Sequence, residues 1–329
     1  MDEKEFKKYL ACGLGRCYFE LKNCADKEPF RTAVLECCLV NPCYDTQSEG
    51  TRAEYLYNLI KLFNDDGYFL SPVIEKFNGL EEEYGWEFEH LCDLITEFAK
   101  DGNLDAAKTL DGMFEKLYAV LLSRREFDGY DACRDRLERV SINLASIFDL
   151  EKFIKIAEDL GNLFLKNPRY SGWDFDFFYM QGEEFFGKER LKEIEKNESN
   201  SRALNEFFTS VNQALSPFKT TEKRQLAREY APTNPNYDVE ALTKKLYSVT
   251  FDKDDEGDWH EVVYDLLDSA DFGTRLPKST LNFIYENSLC SCCRKRAVEL
   301  MKESGFLTGE IRRECLCDSN ADIRKLFKQ

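Results

Sequence analysis

The sequence predicts an all-α protein, and three observations support that prediction. Apolar residues recur at helical spacing through most of the chain, runs of alternating β-branched residues are rare, and turn signals come at short intervals. Leu56, Leu59, Ile60 and Phe63 form one apolar stripe at this spacing. Each predicted helix therefore has one face to bury against a neighbour.

Polar turns containing Asp, Asn or Gly separate the predicted helices. Such turns occupy residues 64–67, 100–103 and 126–129. Short connections place successive helices antiparallel, and each helix pair then buries its apolar face by stacking on the next pair. The sequence therefore predicts an α-solenoid of stacked antiparallel helix hairpins, with a long groove.

A related motif occurs near both ends of the chain. Residues 31–39 and 310–316 both contain Glu-Cys followed by Leu, and residues 318–324 then read Asp-Ser-Asn-Ala-Asp-Ile-Arg. This last segment resembles the Asp…Ile-Arg signature of HEAT repeats. The resemblance implies a right-handed, armadillo-type α-solenoid that binds partners in its groove. It also implies that Ile323 enters the core and that Arg324 lies at the edge of a repeat.

A proline-containing stretch marks the predicted domain boundary. Three prolines interrupt the helical pattern within residues 216–237. The sequence therefore predicts an N-terminal helical-repeat array over residues 1–215, a linker or long loop over 216–237, and a C-terminal helical-repeat segment over 238–329. Within the last segment, acidic residues dominate 238–271 and basic residues dominate 288–329.

The chain as a whole is acidic, with a formal net charge of -17 over 329 residues. This charge repels phosphate backbones, so nucleic acid is a disfavoured partner and a basic protein surface is a complementary one. The first residues lack a basic and apolar leader, and no run of about 18 apolar residues occurs. We therefore expect a cytoplasmic protein without membrane contact, whose thirteen cysteines are mostly reduced and buried.

Signals for catalysis are sparse. The chain has two histidines, neither beside a nucleophile motif, which predicts a non-enzymatic protein without a cofactor. The favoured function is a scaffold that presents its groove to a protein partner. The alternatives are a HEAT-like DNA glycosylase or a nucleic-acid-binding adaptor that uses the basic C-terminal end, and a metal-dependent regulatory protein.

Two clusters are candidate partner-binding sites, one joining aromatic rings to carboxylates and the other basic. Their members are Trp173, Asp174, Phe175, Asp176 and Tyr179 in the first, and Arg294, Lys295 and Arg296 in the second. Aromatic side chains and arginines supply much of the binding free energy at protein interfaces. The sequence therefore predicts that the aromatic cluster is a buried ridge or a partner-binding surface, and that the basic cluster faces a partner.

One acidic segment resembles part of a calcium-binding loop. Asp252, Asp254 and Glu256 follow the spacing of the first half of an EF-hand loop. The twelfth position of that loop holds Val263, so the bidentate glutamate is missing. We therefore predict an acidic surface loop in preference to a calcium site.

A cysteine-rich region near the C-terminus is a candidate for zinc binding. Its members are Cys290, Cys292, Cys293, Cys315 and Cys317. Cys290 and Cys292, and likewise Cys315 and Cys317, have Cys-x-Cys spacing, whereas structural zinc usually uses Cys-x-x-Cys. Nearby arginines favour a second alternative, a reactive thiolate. We predict packed, inert thiols over both alternatives.

Overall fold

A computed structural model gives the fold of the chain. The structure describes residues 1–44, 46–80, 85–123, 132–167, 170, 175–197, 199–215, 260, 263–264, 266–268, 270 and 275–328. Within these residues the regular structure is helical and contains no strand. The predicted all-α class is therefore confirmed.

Short and medium-length helices make up the described structure. In chain order they are α1 (Glu3–Cys12), α2 (Arg16–Asn23), α3 (Glu28–Leu39), α4 (Thr46–Glu49), α5 (Ala53–Lys61), α6 (Asp66–Gly79), α7 (Trp86–Lys100), α8 (Leu104–Ser123), α9 (Ala132–Ala145), α10 (Leu150–Lys166), α11 (Asp176–Phe186), α12 (Lys188–Glu195), α13 (Arg202–Leu215), α14 (Lys278–Asn287), α15 (Ser291–Glu303), α16 (Gly309–Cys315) and α17 (Ala321–Lys325). None of these described helices has the length and apolar character needed to span a membrane.

The packing divides the chain into two compact units. Unit 1 comprises Met1–Asp66 and Lys223–Gln329, and unit 2 comprises Gly67–Glu222. This division differs from the predicted one, because the first helices belong to the same unit as the last ones. Turn and proline signals locate helix ends but do not show which helices pack together. The predicted linker over residues 216–237 lies outside the described residues.

Directed hydrogen bonds join the two ends of the chain within unit 1. Gly13 ends α1 in the left-handed region, with a φ of 73°, and its carbonyl accepts a hydrogen bond from the Ser319 amide at 2.8 Å. A Cβ at Gly13 would also overlap the Ser319 side chain, so both the backbone conformation and the close approach favour glycine. The Tyr55 hydroxyl donates to the Leu14 carbonyl at 2.9 Å. The turn after α1 is therefore fixed against α5 and against the turn before α17.

Aromatic side chains fill unit 2 between α10, α11 and α13. Phe153 stacks on Phe178 with ring centroids 4.6 Å apart, and Phe178 meets Phe207 edge to face at 5.8 Å. Helices α10 and α13 approach closely, because a Cβ at Gly161 would lie 1.8 Å from the Ala203 carbonyl oxygen. The missing side chain of Gly161 therefore permits this helix packing.

Candidate functional site

The aromatic run predicted as a binding site lies at the start of α11, and the structure separates its members. Trp173 and Asp174 lie outside the described residues. Phe175 and Tyr179 are 0% and 3% exposed, because they pack against rings of α10 and α13. Asp176 begins α11 and is partly exposed. The prediction that Phe175 and Tyr179 contact a partner is therefore corrected, since both belong to the core of unit 2.

The other side of α11 exposes large apolar side chains. Phe177, Met180 and Phe185 are 62%, 47% and 49% exposed, and we call these three residues the α11 surface. Their spacing places them on one side of the helix. Glu184 is exposed on the same helix and adds negative charge, whereas Glu183 lies 3.6 Å from Lys188. The sequence signal for this surface is a helix with apolar residues on both sides.

The basic cluster on α15 is also divided by burial. Arg294 is completely buried, and its guanidinium lies 3.1 Å from Asp318. Burial alone would lower the pKa of Arg294, but the Asp318 carboxylate raises that pKa above its ordinary value. Lys295 and Arg296 are about a third exposed and lie 3.2 Å and 3.4 Å from carboxylate oxygens. The prediction that Arg294 faces a partner is therefore corrected, because its side chain is buried and its terminal nitrogens donate to Asp318, Ser319 and backbone carbonyls of unit 1.

Two buried guanidinium groups hold the turn that precedes α15. Arg294 donates to the backbone carbonyls of Ser288 and Leu289 at 3.4 Å and 3.3 Å. Arg52, which is 3% exposed, donates to the same Leu289 carbonyl at 3.1 Å. The backbone immediately before Cys290 is therefore fixed by charged hydrogen bonds, which are stronger than neutral ones.

This turn presents two thiols to an imidazole. Cys290 directly precedes α15, and Cys293 lies in the first turn of that helix. The Sγ atoms of Cys290 and Cys293 and a ring nitrogen of His260 all lie within 4.8 Å of one another, and the Cys293 Sγ is 3.5 Å from His260 Nε2. The contact between the thiols lowers the pKa of Cys290 and raises the pKa of Cys293. Such a group is suited to holding a soft divalent cation or to forming a disulfide.

The sequence signal for this group is the spacing Cys290-x-x-Cys293, which overlaps the Cys-x-Cys pair considered above. Cys292, between the two, is exposed, and Cys315 and Cys317 lie outside the group. The histidine is distant in sequence, so spacing alone does not reveal it. The prediction that most cysteines are buried is confirmed, since Cys290, Cys293 and Cys315 are among those with little exposure.

The acidic segment that resembles a calcium-binding loop is the other candidate metal site. Asp252, Asp254 and Glu256 lie outside the described residues. Val263, at the twelfth position of the calcium-loop pattern, is 0% exposed and belongs to the apolar core of unit 1. The preference for an acidic loop over a calcium site at this segment therefore stays a prediction.

The C-terminal segment that resembles a HEAT-repeat signature agrees with the prediction at Ile323 and differs from it at Arg324. Ile323 is 0% exposed and belongs to the core of unit 1, as predicted. Arg324 is only 9% exposed, donates to the Asp318 carbonyl at 2.8 Å and contacts Glu54. The prediction that Arg324 lies at an exposed edge is corrected, because α17 packs within a unit that also contains α5.

A surface cavity of about 730 Å³ in unit 1 is acidic. Its charged lining residues are Glu5, Glu20, Glu286, Glu310 and Glu314 against Arg16 and Arg313. The Arg16 guanidinium lies 3.1 Å from the Glu314 carboxylate, so part of the positive charge is already neutralised. The cavity therefore disfavours a phosphate-bearing ligand.

Comparison with protein-family models, curated proteins and solved structures finds no match to this chain.

Proposed function

We propose that the chain is a non-enzymatic scaffold of the HEAT-like α-solenoid type, and that its α11 surface binds an apolar segment of a protein partner. The observation that carries this proposal is the exposure of Phe177, Met180 and Phe185 on a helix whose other side is buried. Exposed apolar side chains grouped on one element are typical of interaction sites, because covering them removes apolar area from water.

The charge around this surface favours a partner with basic side chains. Glu184 is exposed on α11, and the formal net charge of the chain is -17. An apolar helix flanked by lysine or arginine would match both the rings and the carboxylates. The complementary charges would increase the association rate and select against acidic partners.

Two further observations support a HEAT-like scaffold without catalysis. In unit 2, α7 packs on α8 and α8 packs on α9, as successive helix pairs of a repeat array do, although α10 packs on α13, which is not its neighbour in sequence. His90 is fully buried in α7, and the half-buried His260 contacts Cys293. His90 is therefore not accessible to a substrate.

The nucleic-acid alternative has less support. Lys295 and Arg296 are paired with carboxylates, and Arg294 is buried. The cavity of unit 1 also carries more carboxylates than guanidinium groups. Phosphate binding requires accessible cationic groups that are not already neutralised.

Photo-crosslinking tests the proposed binding surface. A benzophenone amino acid would replace Phe177 in the full chain, and in a matched control it would replace Leu104, a 71% exposed residue of α8 in the same unit. We expect a defined protein adduct from the Phe177 position and none from the Leu104 position. The crosslinked peptide should carry apolar residues together with lysine or arginine.

Substitutions supply the second half of the test. The double variant Phe177→Ser with Met180→Ser should lose the partner, while Leu104→Ser should retain it. All the replaced side chains are exposed, so the stability of each variant should stay within about 0.5 kcal/mol of wild type. Retention of the partner by the double variant would refute the α11 surface, and a nucleic-acid adduct would favour the alternative function.

A further inference from the structure

We propose that His260, Cys290 and Cys293 bind a zinc ion in unit 1. The proposal does not depend on partner binding by the α11 surface, because the two sites lie in different units. Two thiolates and a neutral imidazole are preferred ligands of Zn²⁺, and this Cys₂His set is one that zinc sites use. No other His, Cys, Asp or Glu of the described residues joins the group.

The distances fit tetrahedral coordination. Zinc lies about 2.3 Å from a thiolate sulfur and about 2.0 Å from an imidazole nitrogen, so at the tetrahedral angle these two ligands are about 3.5 Å apart. The Cys293 Sγ is 3.5 Å from the His260 Nε2, and the remaining pairs lie within 4.8 Å. Binding therefore requires only small side-chain movements.

The surrounding residues hold the ligands in place before any metal binds. The Leu289 carbonyl, one residue before Cys290, accepts hydrogen bonds from both buried arginines, Arg52 and Arg294. The Tyr44 ring packs against the His260 imidazole with ring centroids 5.0 Å apart. Outer contacts of this kind orient metal ligands and increase metal affinity.

Burial separates this group from a reactive or catalytic thiol. Cys290 and Cys293 are 4% and 5% exposed and belong to the apolar core of unit 1. A substrate has little access to sulfur atoms in that position, whereas a small cation that displaces the two thiol protons into solvent can be enclosed there. Three protein ligands leave one tetrahedral position for water or a further group.

A dithiol–disulfide pair is the competing use of the same cysteines. A Cys-x-x-Cys pair at the start of a helix is also found in redox proteins. That chemistry does not need an imidazole nitrogen in contact with one of the sulfurs. The convergence of His260 on Cys293 therefore favours a metal over a disulfide.

The bound ion would connect two parts of unit 1. His260 lies near Val263 and Leu266, which belong to the same apolar core as α15. A zinc ion bound by His260 and by both cysteines would link the segment that contains His260 to the N-terminus of α15. The free energy of metal binding would then contribute to folding of the C-terminal part of unit 1.

Metal analysis of the full chain tests the proposal. The protein would be purified with reductant, loaded with Zn²⁺ or Co²⁺, passed through gel filtration and analysed for bound metal. We expect about one ion per chain, and for Co²⁺ the visible bands of tetrahedral coordination with a sulfur-to-cobalt charge-transfer band. Cys290→Ser and Cys293→Ser should each lose both the ion and the charge-transfer band, and His260→Ala should bind more weakly.

Cys292→Ser is the matched control, because Cys292 is exposed and lies between the two proposed ligands. It should retain the metal and the cobalt spectrum. Failure of the reduced wild-type protein to retain either ion would overturn the proposal, even if the ligand variants fold poorly. Metal retained equally by Cys293→Ser would overturn it as well, and so would a Cys290–Cys293 disulfide that forms in a protein unable to bind zinc.

Discussion

Unit 1 and unit 2 differ in the balance of charged and aromatic side chains in their cores. Unit 1 buries the charged groups of Arg52, Arg294 and Asp318 at 3%, 0% and 0% exposure. Unit 2 also buries Glu89 and Arg136, but its described core is richer in packed phenylalanine rings, such as Phe153 and Phe178, whose centroids are 4.6 Å apart. All but two of the thirteen cysteines also belong to unit 1.

The difference follows the way each unit is assembled from the chain. Unit 1 joins Met1–Asp66 with Lys223–Gln329, whereas unit 2 is the continuous segment Gly67–Glu222. Hydrogen bonds and ion pairs are directional, so buried ones specify which of two distant segments pack and in which register. Apolar contacts between aromatic rings supply free energy with less geometric specificity. We therefore infer that polar groups determine the pairing in unit 1 and that shape determines the packing in unit 2.

The largest expected effect is loss of the buried ion pair of unit 1. Arg294→Met would leave Asp318 buried without its guanidinium partner, and it would also free the carbonyls of Ser288 and Leu289. Breaking one side of a buried pair lowers the free energy of unfolding by about 3–5 kcal/mol. Urea unfolding measures the total loss, and hydrogen exchange should locate it in α14 and α15.

Lys295→Met on the same helix is the control for this substitution. Its partner Asp322 is 3.2 Å away and the pair is partly exposed, so the expected loss is only about 0–1 kcal/mol. Equal losses in the two variants would show that the buried network does not determine the stability of unit 1.

A smaller loss of stability is expected when a side chain is added where α10 and α13 of unit 2 pack closely. Gly161→Ala places a Cβ against the Ala203 carbonyl oxygen, and because that atom belongs to the backbone, α10 and α13 must separate. Overpacking of this kind lowers the free energy of unfolding by about 1–3 kcal/mol. Gly112→Ala in α8 is the control, since the space around Gly112 is open and alanine favours helix by about 0.5–1 kcal/mol. The two thermal shifts should therefore have opposite signs, and a tolerated Gly161→Ala would contradict close packing here.

The same contrast explains what the sequence could predict. Helical spacing predicted the all-α class, because apolar stripes depend on local periodicity, and the resemblance to a HEAT-repeat signature implied the burial of Ile323. The burial of Arg294 and the position of His260 depend on partners far along the chain, and no local pattern encodes those partners. The aromatic run drew attention to the start of α11, but the sequence did not show that Phe175 is buried while Phe177 is exposed.

The effect that disappears near neutral pH is an alkaline loss of stability that arises from a thiol of unit 1. Burial raises the pKa of Cys37 from its ordinary value of 9.0 to about 11, with Glu36 adding to the shift and Arg52 opposing it. Below pH 9 this thiol is protonated in both the folded and the unfolded chain, so its contribution to stability is fully present. Between about pH 9 and 11 the unfolded chain loses the proton and the folded chain keeps it, which favours unfolding by about 1.4 kcal/mol per pH unit. Urea unfolding of reduced protein should therefore show a steeper alkaline decline for wild type than for Cys37→Ala, after each is referenced to its own stability near neutral pH. Identical slopes would show that this thiol ionises as freely in the folded chain as in the unfolded one.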